Sequence, residues 1–317
     1  MGSQKIVVLG TGGTIAGTGA SGSEHINYQA AQIGVADLLA GVPALASWQQ
    51  RLELEQLAQI DSKDMDEATW ARLAQRVAEL LARADVQGVV ITHGTDTLEE
   101  TAYFLHAVLA PGKPVVLTCA MRPATATGAD GPQNLVDAIC VAATPQVSGV
   151  LSVVAGAVHG PLDVQKVHPY RLDAFSSGDA GALAYVEEGR VRQLRPWPVG
   201  QPRLHLLDHL SRPWPKVAIV ISHALVQAWA LEALVQQGAR GLVVAATGNG
   251  TIHRSLQPAL LQAEQAGVKL LRASRCALGQ MLVQPSGEGQ AAPGLPHSLL
   301  SPVKARIALA LDLMEAS

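Results

Sequence analysis

Short apolar runs rich in valine and isoleucine punctuate the chain: "KIVVLG" (5–10), "GVVITHG" (88–94), "KPVVLTCA" (113–120) and "GVLSVVAG" (149–156). Such runs predict buried strands. Between them, "DEATWARLAQRVAELLARA" (66–84) and "LEETAYFLHAVLA" (98–110) keep Leu, Val and Ala at helical spacing. Alternating strands and helices predict right-handed crossovers and a mostly parallel sheet.

From Arg195 to Pro215 the texture changes, with five prolines in 21 residues, which reads as an interdomain linker. Beyond it the alternation resumes: "KVAIVISHA" (216–224), a helix near 226–237, "GLVVAATGNGT" (241–251), a helix near 257–266, "VKLLRAS" (268–274) and a helix near 303–315. The expected fold is therefore α/β in two domains. A larger N-terminal one (1–194) holds a mostly parallel sheet with flanking helices, 195–215 links, and a smaller α/β domain follows (216–317).

Composition narrows the function. Hydrophobic residues make up 48% and charged residues 15% of the 317, and mean hydropathy is +0.21, which excludes disorder and suits a compact enzyme. No segment approaches the roughly 18 unbroken apolar residues of a membrane span, so no membrane partner is expected. Net charge is −3 and the 23 Lys and Arg are scattered, so nucleic acid is not an expected partner and a small molecule is. Cys119, Cys140 and Cys276 form no CxxC pair and encode neither a disulfide framework nor a zinc site. The opening "MGSQKIVVLG" lacks the apolar core of a secretory signal, which reads as cytoplasmic, with a periplasmic protein stripped of its signal as the alternative.

The first run ends in "VLGTGGTIAG" (8–17). A dinucleotide fingerprint would need glycine where Ile15 stands, and a P-loop would need a lysine that the stretch lacks. Two readings remain: Gly12 and Gly13 clear space so that Thr14 projects into a cleft at the strand end, or the threonine caps a tight turn. The second loop, "HGTDT" (93–97), also follows a strand. Thr97 and Glu100 predict a capping box opening the next helix, which puts Thr95 and Asp96 just outside a helix N-terminus, facing the same crevice.

"GTGGTIAG" together with "ITHGTDTLEETAYFL" resembles the bacterial L-asparaginase family, including its glutaminase-asparaginase members. "IDSKDM" (60–65), "CAMRPATATGADGPQNL" (119–135), "DVQK" (163–166), "TGNGTI" (247–252) and "SPVKARI" (301–307) fall in the family's order, so the resemblance covers most of the chain. It implies amide hydrolysis by a threonine nucleophile without metal or organic cofactor, on L-asparagine with L-glutamine as a second candidate. By the same resemblance Thr14 is the acylated residue and Tyr28, on a mobile lid, helps activate it. Thr95, Asp96 and Lys166 match a second hydroxyl, carboxylate and amine set. Ser62 and Asp96 match holders of the substrate's amino-acid end, and backbone amides near Thr95 and Ala120 match the oxyanion site.

The residue types suit that chemistry, because a threonine hydroxyl needs a base in reach and a third group to orient or charge it. Burial would lower the pKa of Lys166 and Asp96 would raise it, so neutral base and fixed cation both stay open. The loop 17–30, with three glycines and Tyr28, has a lid's composition and equally that of a mobile surface loop.

This chain departs from the better-known periplasmic members at Lys63, where they carry glutamine that helps hold the substrate's amino-acid end; an inward cation there would repel the α-ammonium, and pairing with the α-carboxylate or turning to solvent stay open. The resemblance further implies a homotetramer, a dimer of intimate dimers, in which Asn249 and an acidic residue, nearest Glu288, complete a neighbour's site. Elsewhere, His205 and His209 with Asp208 read as a surface pair rather than a metal site, His93 as a structural histidine, and Arg122 as a packing or salt-bridging residue.

Overall fold

The computed structural model describes residues 4–23, 26–282 and 295–316. The chain divides into two compact units between Ser211 and Arg212.

In the first unit, β1 (Lys5–Gly12) is buried along nearly its whole length, as a strand covered on both faces must be. A two-stranded ribbon of β2 (Thr18–Gly19) and β3 (Tyr28–Gln29) follows, then α1 (Val35–Ala40) and β4 (Leu52–Ile60). The helix α2 (Glu67–Ala82) starts where Asp66 accepts the Thr69 N–H at 2.8 Å. Then come β5 (Val86–Thr92), α3 (Leu98–Leu109), β6 (Pro114–Thr118), α4 (Gly131–Ala143) and β7 (Gly149–Val154). The remaining strands are β8 (Ala157–His159), the ribbon β9 (Gln165–Lys166) and β10 (Phe175–Ser176), β11 (Ala184–Glu187) and β12 (Arg190–Gln193).

The main sheet runs β12-β11-β8-β7-β6-β5-β1-β4. Its strands from β7 to β4 are parallel, and β8, β11 and β12 extend it antiparallel, a margin the sequence pattern did not announce. From β1 the chain leaves toward β4 on one side, whereas β5, β6 and β7 lie on the other. Connections from β1 and β5 therefore part company, which opens a crevice at their C-terminal ends, where open α/β sheets bind ligands.

The expected capping box at the start of α3 lacks its threonine half. Thr97 is the N-cap but makes no side-chain cap bond, because its hydroxyl donates instead to the Ser62 carbonyl at 2.8 Å. Much of the proline-rich stretch packs on this unit: Leu206 and Leu210 are buried, and Arg203 N–H bonds the Val108 carbonyl at 2.8 Å.

The second unit is a parallel sheet, β13 (Val217–Ile221), β14 (Gly241–Ala246), β15 (Lys269–Ser274) and β16 (His297–Ser298), in that order. Residues of α5 (Trp229–Gln236) and α6 (Gln257–Gln265) pack with Leu242 and Val244 in one cluster, and Ala305, Leu309 and Leu313 of α7 (Pro302–Glu315) with Val243 in another. Among the described residues no helix is long and apolar enough to cross a membrane.

Candidate active site

At the end of β1 the backbone turns through Gly12 (φ +106°) and Gly13 (φ +83°), values that a side chain would strain. A Cβ on Gly13 would run into the Gly94 backbone, and one on Gly94 into the Ser62 side chain. Three loops, 12–14, 60–62 and 93–95, thus meet at van der Waals contact, which explains why glycine stands at two of the contact points.

Thr14 is buried, in a single 3-10 turn, and its Oγ1 lies 2.7 Å from the Tyr28 hydroxyl. Tyr28 sits on the β2–β3 ribbon and is half-buried. Across the crevice, Lys166 Nζ donates to Thr95 Oγ1 at 2.8 Å and pairs with Asp96 Oδ1 at 2.6 Å. The Lys166 side chain is 18% exposed and that of Asp96 is 51% exposed. Thr95 Oγ1 is 3.5 Å from Asp96 Oδ1, too long to orient it firmly. The geometry thus gives two hydroxyls, each with a proton-handling partner, and a carboxylate open to solvent.

The peptide between Gly94 and Thr95 is fixed from behind. Trp70 Nε1–H donates to Thr101 Oγ1 at 2.9 Å, and Thr101 Oγ1 lies 3.0 Å from His93 Nε2. The Gly94 carbonyl can only accept, so His93 carries its proton on Nδ1 and donates it there at 2.8 Å, which leaves Nε2 to accept from the Thr101 hydroxyl. Full burial pulls the His93 pKa down to about 4, so the ring is neutral. A trans peptide points N–H opposite to C=O, so with the Gly94 carbonyl held in the core the Thr95 N–H faces away from it. His93 is structural, as its sequence context suggests.

Ser62 is buried; its Oγ accepts the Asp96 N–H at 3.2 Å, which ties the 60–62 loop to the second hydroxyl set. Lys63 points to its neighbours: Nζ bonds Asp61 at 3.0 Å and Asp64 at 2.8 Å, with 60% of the side chain exposed. Those carboxylates raise its pKa and keep it charged. Ala120 is fully buried, just past β6. Among the described residues no acceptor takes the Thr95 or the Ala120 N–H.

In the second unit Asn249 is exposed, with its side-chain amide bonded to both backbone groups of Leu282 (3.1 and 2.6 Å). Glu288 lies outside the described residues. Arg122 donates to the Gly128 carbonyl at 3.0 Å. Among the described residues, no group of three or more His, Cys, Asp or Glu is placed to hold a metal.

Two residues escaped the sequence reading. Asp130, before the Pro132-bearing first turn of α4, looks like a helix cap, yet it makes no side-chain cap bond. Its carboxylate instead accepts the Met121 and Arg122 N–H groups at 2.9 and 3.0 Å. Asn134, one turn on, bonds the Cys119 carbonyl at 2.9 Å and receives the Ala155 N–H at 3.0 Å. The only signal available was their presence in "GADGPQN", between polar loop and apolar helix.

Comparison with known proteins agrees along the whole chain. Residues 5–198 match the family model for the N-terminal domain of asparaginase, and 216–316 that for the glutaminase/asparaginase C-terminal domain. The chain is 38% identical to a glutaminase-asparaginase of Pseudomonas fluorescens biotype A, covering 88% of this chain and 77% of that one. It is 36% identical to L-asparaginase 2 of Escherichia coli K12, covering 98% and 89%. A crystal structure described as a probable cytoplasmic L-asparaginase from Campylobacter jejuni superposes with a TM-score of 0.89 at 36% identity, covering 98% and 95%.

Proposed function

The chain belongs to the asparaginase family, and on that premise we propose that it hydrolyses L-asparagine to L-aspartate and ammonia through an ester on Thr14. The observation that carries the residue assignment is the pair of activated hydroxyls at one switch point, Thr14 with Tyr28 and Thr95 with Lys166.

Thr14 Oγ1 attacks the side-chain amide carbon while its proton leaves along the 2.7 Å contact with Tyr28. The carbonyl oxygen becomes an oxyanion, and the Thr95 and Ala120 N–H groups, which have no acceptor among the described residues, stabilise it. The C–N bond breaks, the nitrogen takes up the proton and leaves as ammonia, and the β-aspartyl ester stays on Thr14. Water, held and deprotonated by the Thr95–Lys166–Asp96 set, then cleaves the ester and returns the proton to Thr14. Ser62 and the open Asp96 carboxylate hold the substrate's α-carboxylate and α-ammonium, and the β2–β3 ribbon that carries Tyr28 closes over them. The reaction so written uses no metal and no organic cofactor.

The working assembly is a homotetramer of paired dimers, with Asn249 of a neighbouring subunit at the amino-acid end. A cytoplasmic location is supported by similarity to the Campylobacter jejuni protein so described. A second reading, joint action on L-glutamine, is favoured by the identity to relatives named glutaminase-asparaginase. Ammonia release measured separately with L-asparagine and L-glutamine tests both. Release from asparagine supports the first reading, comparable release from glutamine the second, and release from neither refutes the two together.

A further inference from the structure

We propose that Ala31 is a positioning residue whose left-handed turn seats the Tyr28 hydroxyl on Thr14; this rests on the amide-hydrolase reading above. Ala31 has φ +57°, a region in which the Cβ of an L-residue crowds its own backbone. Three other non-glycine residues with positive φ stand where local structure calls for it: Ala110 ends α3, and Ala155 and Glu188 lie in the two-residue turns of the β7–β8 and β11–β12 hairpins. Ala31 ends no helix and closes no hairpin. Strain of this kind persists only where the surrounding bonds over-determine it.

Those bonds lie along the turn that presents Thr14. The Ala31 N–H donates to the Gly13 carbonyl at 3.0 Å, and the Gln32 and Ile33 N–H groups both go to the Ala16 carbonyl, at 2.7 and 2.9 Å. The Ala31 carbonyl accepts from Gln59 Nε2 at 2.7 Å. The Ala31 methyl is buried, and a Cβ on Gly12 would come within 2.8 Å of it, so the space there takes one methyl and little more. Three residues before Ala31, Tyr28 pairs with Gly19, and Gln29 with Thr18, just past the same turn. Thr14 and Tyr28 therefore belong to one backbone ring, closed at one point by the Ala31–Gly13 bond and at another by the β2–β3 pairing.

The left-handed turn decides whether that ring closes. On the C-terminal side of the Ala31 Cα are three ties, from Gln59 to the Ala31 carbonyl and from Gln32 and Ile33 to Ala16; on the N-terminal side is the bond from the Ala31 N–H to Gly13. A swing of φ to negative values leaves the three in place, breaks the fourth and turns residues 28–30 away, taking the hydroxyl off Thr14. A reacting group displaced by about 1 Å costs on the order of 100-fold in rate.

The test is a double-mutant cycle, with Ala31→Val made alone and in Tyr28→Phe, and Ala31→Gly beside them, each followed by steady-state ammonia release from L-asparagine and by a thermal melt. Valine is β-branched and too large for the space beside Gly12, so it disfavours the turn, and kcat falls about 10- to 100-fold with KM within about threefold. In Tyr28→Phe no hydroxyl is left to be seated, and the same substitution changes kcat by less than about threefold. Glycine adopts the left-handed turn without strain, so Ala31→Gly keeps kcat within about threefold of wild type and melts no lower, whereas glycine for alanine at an ordinary position lowers the melting temperature. A merely structural alanine would lower kcat by the same factor in both backgrounds.

A folded Ala31→Val with kcat within about threefold of wild type overturns the inference, as does one that loses the same factor with and without the Tyr28 hydroxyl. If the valine variant fails to fold, Ala31→Gly decides: a fall in kcat beyond about threefold, or a lower melting temperature, overturns the inference. A wild-type protein inert on L-asparagine and L-glutamine removes the hydrolase reading and the inference with it. An active wild type in which the Ala31 effects are independent of Tyr28 removes the inference only.

Discussion

Replacing Tyr28 with phenylalanine deletes one oxygen and leaves the ring where it packs. That oxygen is 2.7 Å from Thr14 Oγ1, and Thr14 is 6% exposed. If the phenol were only a hydrogen-bond partner of the resting threonine, its loss would cost about 0.5–1.5 kcal/mol, roughly 2- to 12-fold in rate. If it handles the proton that leaves Thr14 during attack, its loss removes general-base assistance, worth about 10²–10⁴-fold, or roughly 3–5 kcal/mol. The proposed function requires the second case. Steady-state kinetics of Tyr28→Phe on L-asparagine should show kcat reduced at least about 100-fold with KM changed by less than about threefold, because Tyr28 is not assigned to the amino-acid end. A thermal melt should be close to that of wild type, since the half-buried ring is retained. A fall in kcat of under about tenfold would refute the assignment and leave Thr14 to be activated by another group.

Two further outcomes follow from the geometry. Lys63→Gln removes a side chain that is 60% exposed and bound to Asp61 and Asp64, so kcat/KM on asparagine should stay within about twofold; a larger change would mean that Lys63 turns into the site when substrate binds. Burial pulls His93 and His159 down to about 4, against about 6.5 in an unfolded chain, so the unfolded state binds more protons between these values. Stability should be intact above about pH 6.5 and fall as pH drops toward 4, by on the order of 3 kcal/mol per histidine; urea midpoints should show a shallower pH slope in His159→Asn, and an unchanged slope would contradict the burial argument.

The parts of this fold that could be read from the sequence are those with a single periodicity. β1, β5, β6 and β7 are unbroken apolar runs because both faces are covered, and α2 and α3 repeat at helical spacing over three or more turns. β4 escaped because it closes the sheet edge, and "LELEQLAQI" alternates intermediate and exposed positions with charges among them. α4 escaped because Pro132 and the loop before it hide the start of an otherwise apolar helix. Thr97 and Glu100 carried the right local signal for a capping box, but a tertiary partner, the Ser62 carbonyl, took the threonine hydroxyl. The same reason hid Asp130 and Asn134: their partners lie at 119–122 and 155, across a loop and a strand, and no local pattern encodes such a pairing. Thr14, Thr95 and Asp96 stood out in the sequence because strand ends followed by glycine-rich loops are where a parallel sheet puts its chemistry.

The central claim is that Thr14 carries the acyl group. Its most direct test is rapid-quench mass spectrometry of wild type and Thr14→Ala mixed with L-asparagine, following both released ammonia and the peptide that contains residue 14. A β-aspartyl adduct on that peptide, formed at a competent rate, with turnover abolished in a folded Thr14→Ala, is the result predicted. An adduct on another residue, or substantial turnover by Thr14→Ala, would contradict it.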